Sequence, residues 1–377
     1  MGSMAVLRSA ARQDRAPSID LALQGGGSHG AFTWGVLDTL LDSGAVHLDG
    51  ISGTSAGALN AAILAVGWAR GGSAGAREAL RAFWMDVAST GACFGGGAGS
   101  AADVSAFKLP IPPLPWSSPV GTDWQRFNLP ANPWTWWGQW WLKQFAPAQF
   151  NPLGLDPLRG LLERHVDVPL LRKSPLKLFV TATDVQTGQP EVFEGERLGI
   201  DALLASACLP QLFRPVVIEG RSFWDGGYTG NPALWPLIYN TESSDVLLVK
   251  INPLRRANVP DTADEIAERV NEITFNASLV SEMRAIHFVQ KLLAQQRLDA
   301  HHYKHLRLHM IADEQALSQL RPSSKLNTER EFLLALHALG QSAAQQWLKT
   351  QLSAVGQRSS VDIEKVFLAP RQGRGAD

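Results

Sequence analysis

The apolar positions of this chain switch between two periods, and the switch points carry glycine. Ile19–Gln24 is a short apolar run of strand character that ends in Gly25, Gly26, Gly27 and Gly30. Phe32, Val36, Leu37, Leu40 and Leu41 then recur at helical spacing until Gly44 stops them. "VHLDGISG" (46–53) reads as a second strand, and "SAGALNAAILAVGWA" (55–69) as a helix of small residues broken by Gly71-Gly72. Two strand–turn–helix units so close together predict an α/β protein with a mostly parallel, doubly wound sheet.

Residues 91–155 lose both periods. "GACFGGGAGSAADVSAF" reads as loop and "KLPIPPLPWSSP" as proline punctuation. In "NPWTWWGQWWLKQFAP", Asn132 is placed to cap a helix, Pro133 to open it and Pro147 to stop it. On such a helix Trp134, Trp137 and Trp141 fall at i, i+3, i+7, with Trp136 and Trp140 on the adjoining face. The segment reads as an insertion or cap over the sheet.

The α/β pattern resumes afterwards. "LDPLRGLLERHV" reads as a helix, "LKLFVTATDV" and "EVFEG" as strands, and "IDALLASACLP" as a helix ended by Pro210. "FRPVVIEGRSFWDGG" holds two short strand-like pieces around a turn, and "SDVLLVKINP" is a further strand. Long helical stretches at 262–297 and 328–353 follow, with "KHLRLHMIAD" as a strand between them. The expected organisation is a flexible lead (1–17), a catalytic domain (18–255), a mainly helical extension packed on it (256–365) and a disordered tail (366–377).

Composition narrows the function classes. The 377 residues are 45% hydrophobic, enough for one large α/β domain or two smaller ones, and the net charge of −1 carries no nucleic-acid footprint. Two cysteines, Cys93 and Cys208, exclude a disulfide scaffold and fit a reducing, cytoplasmic setting. Met1–Ser3 read as an expression remnant ahead of Met4. The arginines that follow precede no apolar h-region, and no run of about 18 apolar residues occurs.

The first candidate chemistry is the glycine loop. Gly25, Gly27 and Gly30 fit G-x-G-x-x-G, and Asp49 lies nineteen residues after Gly30, near where a ribose-binding acid would sit in a nucleotide-dependent oxidoreductase. Downstream, Gly53-Thr54-Ser55-Ala56-Gly57 fits G-x-S-x-G between a strand and a helix. Such an elbow exposes Ser55 Oγ at a helix N-terminus, where unpaired N–H groups favour a developing anion. The two glycine-rich strand ends then share one explanation. Ser55 attacks a carbonyl, and the amides around Gly26 and Gly27 and that of Ala56 face the new oxyanion.

The hydroxyl needs a base. No histidine lies in an evident catalytic motif, whereas "RSFWDGGYTGNP" places Asp225 before Gly226 and Gly227. An ordinary aspartate, with a pKa of about 3.9, does not deprotonate free serine, but it can accept the proton within the transition state.

The blocks "GGGSHG", "GTSAG" and "DGG", together with the approach "ASACLPQLFRPVVIEGRSFWDGGYTGNP", resemble the patatin-like phospholipase family over roughly residues 18–255. The resemblance implies a three-layer α/β/α fold and a lipid acyl hydrolase with a Ser–Asp dyad and no metal or cofactor. Ser55 would be its nucleophile and Asp225 its base, with Gly25, Gly26, Gly27, Ser28 and Gly30 as the oxyanion loop. The family commonly places Arg or Lys before the last glycine of that loop, and this chain has His29, which is only partly charged near neutral pH.

The implied partner is a lipid or other ester. A protein that keeps the fold only to bind lipid is the non-catalytic alternative. The tryptophans at 134–141 suit a lid or a peripheral membrane contact, because indole prefers the boundary between water and acyl chains. Packing against the C-terminal helices or an oligomeric partner is the other account of them. His301, His302, His305 and His309 read as surface histidines rather than zinc ligands, Asp184 as a turn residue, and the helix at 262–297, with Glu265, Glu268 and Arg269, as packed with a solvated face.

Overall fold

The computed structural model describes residues 16–90, 157–210, 212–256, 258–299 and 302–368. The Trp-rich segment, with Trp134, Trp136, Trp137, Trp140 and Trp141, and most of the expected lead and tail lie outside the described residues. β1 (Ser18–Leu23) leads through a 3-10 turn (Gly27–His29) into α1 (Gly30–Ser43). β2 (His47–Thr54) leads into α2 (Ala56–Thr90), which kinks at the expected Gly71-Gly72 pair. After α3 (Pro157–His165) and α4 (Val168–Arg172) come β3 (Lys177–Asp184), β4 (Pro190–Phe193) and α5 (Ile200–Ser206). β5 (Val216–Ile218), β6 (Arg221–Asp225), α6 (Trp235–Asn240) and β7 (Asp245–Val249) follow. The chain continues through α7 (Ala263–Ala294), β8 (Arg307–Ile311), α8 (Glu314–Gln319) and α9 (Arg330–Thr350).

One eight-stranded sheet runs β5-β6-β3-β2-β1-β7-β8, with β4 paired to β3. The β3–β2–β1–β7–β8 stretch is parallel, and β4, β5 and β6 join antiparallel. Period-two alternation sorts the central strands onto two faces. Leu21, Leu23, Leu247 and Val249 pack with the helices α1, α2 and α9 on one side. Ala22, Val246 and Leu248 pack with Leu237 of α6 and Leu279 and Met283 of α7 on the other. The result is a three-layer α/β/α fold.

Two details differ from the sequence pattern. The strand expected at "KHLRLHMIAD" within the mainly helical C-terminal region is β8, and it joins the central sheet, paired in parallel with β7, instead of staying in a separate extension. β8 is the edge strand of the sheet, and it is covered on both faces: Leu308 packs with the α7 side and Ile311 with the α9 side. The helix expected to run to Pro210 ends at Ser206, freeing the following residues to pass beside β6.

Candidate active site

Ser55 sits between β2 and α2 with φ 53°, in the left-handed region that a non-glycine residue rarely adopts. The strain is held by local bonds. Ser55 N–H donates to Ser206 Oγ at 2.9 Å, and the Ser206 hydroxyl donates to the Thr181 carbonyl at 2.6 Å. Thr54 Oγ1 donates to the Gly230 carbonyl at 2.6 Å. A Cβ on Gly57 would lie 2.2 Å from the Leu23 carbonyl oxygen, so only glycine lets α2 start against the end of β1. Gly53 faces Gly57 in the same tight turn.

Asp225 reaches Ser55 through an unusual sharing of one strand edge. β2 pairs with β3 up to Thr54 opposite Thr181, and β6 takes over with Asp225 opposite Ala182. β4 occupies the other edge of β3, so β2 and β6 lie end to end. The chain therefore turns away at Ser55 where Asp225 arrives. Asp225 N–H donates to the Cys208 carbonyl at 2.8 Å, and Thr183 Oγ1 donates to the Asp225 carbonyl at 2.8 Å.

The carboxyl is fully buried, and Ser55 is 5% exposed. Asp225 Oδ1 accepts from Gly227 N–H at 2.7 Å, while Oδ2 has no hydrogen bond of standard geometry. Burial pushes the pKa of Asp225 up to about 7, against the lowering effects of the Gly227 amide, the facing Ser55 hydroxyl and the charge of Lys325. Such a pKa suits a group that must give and take a proton near neutrality.

The glycine loop lies directly against the nucleophile. A Cβ on Gly25 would be 2.7 Å from both the Ser55 Cβ and the Thr54 carbonyl oxygen. Its amide is not an anion donor, because it donates to Asn231 Oδ1 at 2.7 Å. The Gly30 amide likewise turns back to the Gly27 and Ser28 carbonyls, and His29 N–H donates to the Gly26 carbonyl. Gly25 and Gly30 thus serve close packing rather than hydrogen bonding to an oxyanion. Gly26, Gly27 and the buried Ser28 remain as the loop's donor candidates, beside Ala56 at the first turn of α2.

The family model for patatin-like phospholipase matches residues 21–238, more than half of the chain. The chain belongs to the patatin-like phospholipase family. Members of this family are lipid acyl hydrolases, so the substrates are lipid esters in the general sense. Among solved structures, VipD from Legionella pneumophila is similar at 14% identity, covering 89% of this chain and 67% of that one, with a TM-score of 0.37. That score is too low to carry an argument. No curated protein matches the chain.

Within this patatin-like site, several contributors escape the motifs. Gln24 Oε1 accepts from the Ile251 and Asn252 amides at 3.0 Å each, and Asn252 Nδ2 donates to the Gly25 carbonyl at 2.7 Å. Asn231, six positions after Asp225, holds Gly25 by accepting from its amide. A polar residue closing an apolar run directly before the glycines, as Gln24 does, is the first signal. The second comes from far downstream. Phe275 of α7 covers Gly227, and its ring lies 4.9 Å from that of Tyr228. Gly27, with φ 57°, carries the Lys325 carbonyl oxygen in the space a Cβ would need.

His29 is not the loop's cation. Burial, then the charges of Lys325 and Arg256, push its pKa well below 6.5. Its Nε2 lies 2.8 Å from Ser324 Oγ, which already donates to the Arg321 carbonyl, so the imidazole donates through Nε2–H. Nδ1 is buried without a partner, as a neutral ring tolerates and an imidazolium does not.

Other residues singled out by the sequence lie elsewhere. Asp184 accepts from the Gln186 and Thr187 amides as a turn residue and also pairs with Arg221 at 2.6 Å. Asp49 accepts from the Glu242 and Ser243 amides, which ties down the chain before β7 and leaves no ribose-binding role. Among the described residues no group of three His, Cys, Asp or Glu side chains could hold a metal ion. His302 is exposed beside Asp299, but His309 is fully buried, which corrects its surface assignment. β8 is the edge strand, but Asp245 of β7, Ser360 and the Trp347 ring of α9 enclose the imidazole. Arg269 pairs with the buried Glu272, while Ile266, Val270 and Ile273 are exposed, so the outer face of α7 is less polar than its charged residues suggested. No helix among the described residues is long and apolar enough to cross a membrane.

Proposed function

We propose that this chain is a serine hydrolase that cleaves carboxylic esters of lipids through an acyl-Ser55 intermediate. The observation that carries the reading is the Ser55 hydroxyl on a strained elbow, facing a buried Asp225 whose Oδ2 has no other partner. Asp225 takes the Oγ proton as Oγ bonds to the ester carbonyl carbon. The Gly26, Gly27 and Ala56 amides stabilise the oxyanion. Collapse breaks the ester C–O bond, and the proton passes from Asp225 to the leaving alkoxide. Water repeats the sequence, giving its proton to Asp225 and releasing the fatty acid and Ser55 Oγ–H.

Ser55→Ala and Asp225→Asn are each expected to abolish hydrolysis of an acyl-p-nitrophenyl ester with the fold intact by circular dichroism. A fluorophosphonate is expected to label the wild type at Ser55. Turnover above a few per cent in either variant rejects the dyad. A folded wild type that neither labels nor turns over points to the lipid-binding alternative. A nucleotide at the glycine loop is disfavoured by the Lys325 carbonyl packed on Gly27 and by the committed Gly25 amide. Contact of the Trp-rich segment with a membrane belongs to the same proposal, and equal liposome flotation of the wild type and Trp136→Ala/Trp140→Ala would remove it.

A further inference from the structure

With His29 neutral the glycine loop carries no cation of its own, and one stands beside it. Pro322–Leu326 form a 3-10 turn that lies beyond the 21–238 family match, between α8 and α9. Two neighbours in this turn clamp the loop. Ser324, fully buried, takes the His29 Nε2–H, and the Lys325 carbonyl lies over Gly27. The Lys325 side chain is half-buried and runs along the loop, its Cβ 3.3 Å from where a Gly27 Cβ would be. Its Nζ donates to Asn252 Oδ1 at 2.7 Å, and the same Asn252 donates to the Gly25 carbonyl. Asn252 Oδ1 is also 3.5 Å from the Cβ position of Gly26.

We propose that Lys325 is a positioning residue of the hydrolytic site. Its ammonium supplies, from the C-terminal region, the positive charge that the glycine loop itself lacks, favouring the ionised form of Asp225 against burial and favouring the oxyanion. The inference rests on the Ser55–Asp225 reading of the site.

The charges around Lys325 are specific. Glu272 and Glu268 of α7, Arg256 ahead of it, Asp225 at the end of β6 and His29 on the loop all face it. Glu272 is kept ionised by Arg256 and Arg269, which bind it directly. His29 stays neutral. Burial lowers the pKa of Lys325 itself, while Glu272 and Asp225 pull it back up. Asp225 is thus the carboxyl of this cluster that titrates near neutrality, and the effect of Lys325 on it can be read in isolation.

The test compares Lys325→Gln, which keeps a donor for Asn252, Lys325→Met, which does not, and Lys325→Arg, which restores charge. Two readouts are taken on variants whose folding is verified by circular dichroism. One is the Asp225 carboxyl titration by carbon-13 NMR, assigned by its loss in Asp225→Asn. The other is kcat and KM for an acyl-p-nitrophenyl ester across pH. Lys325→Gln and Lys325→Met are each expected to move the Asp225 titration upward by about half a unit or more. They are also expected to lower kcat about tenfold or more with little change in KM, and Lys325→Arg to recover most of that loss. Either neutral variant suffices if the other does not fold. An unmoved Asp225 titration in the folded neutral variant, or an arginine variant as impaired as glutamine, overturns the proposal. If the wild type hydrolyses no ester yet the titration moves, the hydrolase reading falls and the electrostatic role of Lys325 stands. If hydrolysis depends on Ser55 but neither readout responds to Lys325, the reverse holds.

Discussion

Of two places among the described residues where a serine and a buried aspartate belong to one cluster, the less obvious one is the better site. At the carboxyl ends of the parallel strands, Ser55 meets Asp225 directly. Toward their amino ends, Ser360 Oγ lies 3.0 Å from His309 Nδ1, and His309 Nε2 lies 3.0 Å from Asp245 Oδ1, the layout of a Ser–His–Asp relay. Yet Asp245 is saturated. Its Oδ1 also accepts from Arg307 Nε and the Gly356 amide, and its Oδ2 accepts from Arg307 Nη2 at 2.6 Å. Burial alone would raise its pKa, but bonds from His309, Arg307 and Gly356 outweigh it and hold the carboxyl well below the usual range. A carboxylate so fully bonded has no reason to take a proton. Asp225 is as deeply buried but keeps one oxygen without a standard bond, and its pKa rises to about 7. Residue types do not separate the two places; the accounting of hydrogen bonds does.

The largest expected contrast is in turnover. Ser55→Ala and Asp225→Asn should each lose about a thousandfold or more in kcat, whereas Ser360→Ala should stay within about twofold. Comparable losses at Ser360 would erase the distinction. Next is stability. Asp245→Asn leaves Arg307 unpaired and should cost about 3 kcal/mol at pH 7 in denaturant titrations. Asp225→Asn should do the opposite.

The sign follows from linkage. The folded protein keeps the Asp225 proton to about pH 7, while the unfolded chain releases it near 3.8, so this group erodes stability as pH rises between those values. Asparagine removes the erosion, a gain on the order of 2 kcal/mol at pH 8 that shrinks toward zero near pH 4. Asp245, with its pKa lowered from 3.8, contributes stability above that value and loses it as pH falls. A wild-type kcat/KM that climbs with pH through a midpoint near 7 would report Asp225 as the base, and a flat profile from pH 5 to 8 would contradict it. The smallest effect is expected from Ser206→Ala. It deprives the Ser55 amide of its acceptor and should cost about 1 kcal/mol in stability, with a modest fall in kcat.

Much of this was legible in the residues. Gly53, Gly57 and Gly226 mark places where backbone passes backbone too closely for a side chain, and that constraint is written locally. The two periods of apolar residues marked most strands and helices, because burial on one or two faces leaves its spacing in the chain. His309 misled because a histidine among the charged residues of "KHLRLHMIAD" reads as exposed, whereas the Trp347 ring of α9 and Ser360, both distant in sequence, cover this edge strand. Which amides of the glycine loop are already committed was not legible: those of Gly25 and Gly30 are used by Asn231 and by the turn itself, and no spacing rule reveals such bonds.

By itself the sequence determined the strand–turn–helix units and the sharp turn at Ser55, since each depends on residues near one another in the chain, and its three motif blocks pointed to the family and so to the layering. Only the tertiary structure decided that β2 ends where β6 begins along β3, which sets Asp225 against Ser55 across 170 positions of sequence. Only it decided that Lys325 covers the glycine loop. The physical reason is that a carboxyl's proton affinity and a cation's reach depend on burial and on through-space distance, quantities that linear order does not encode.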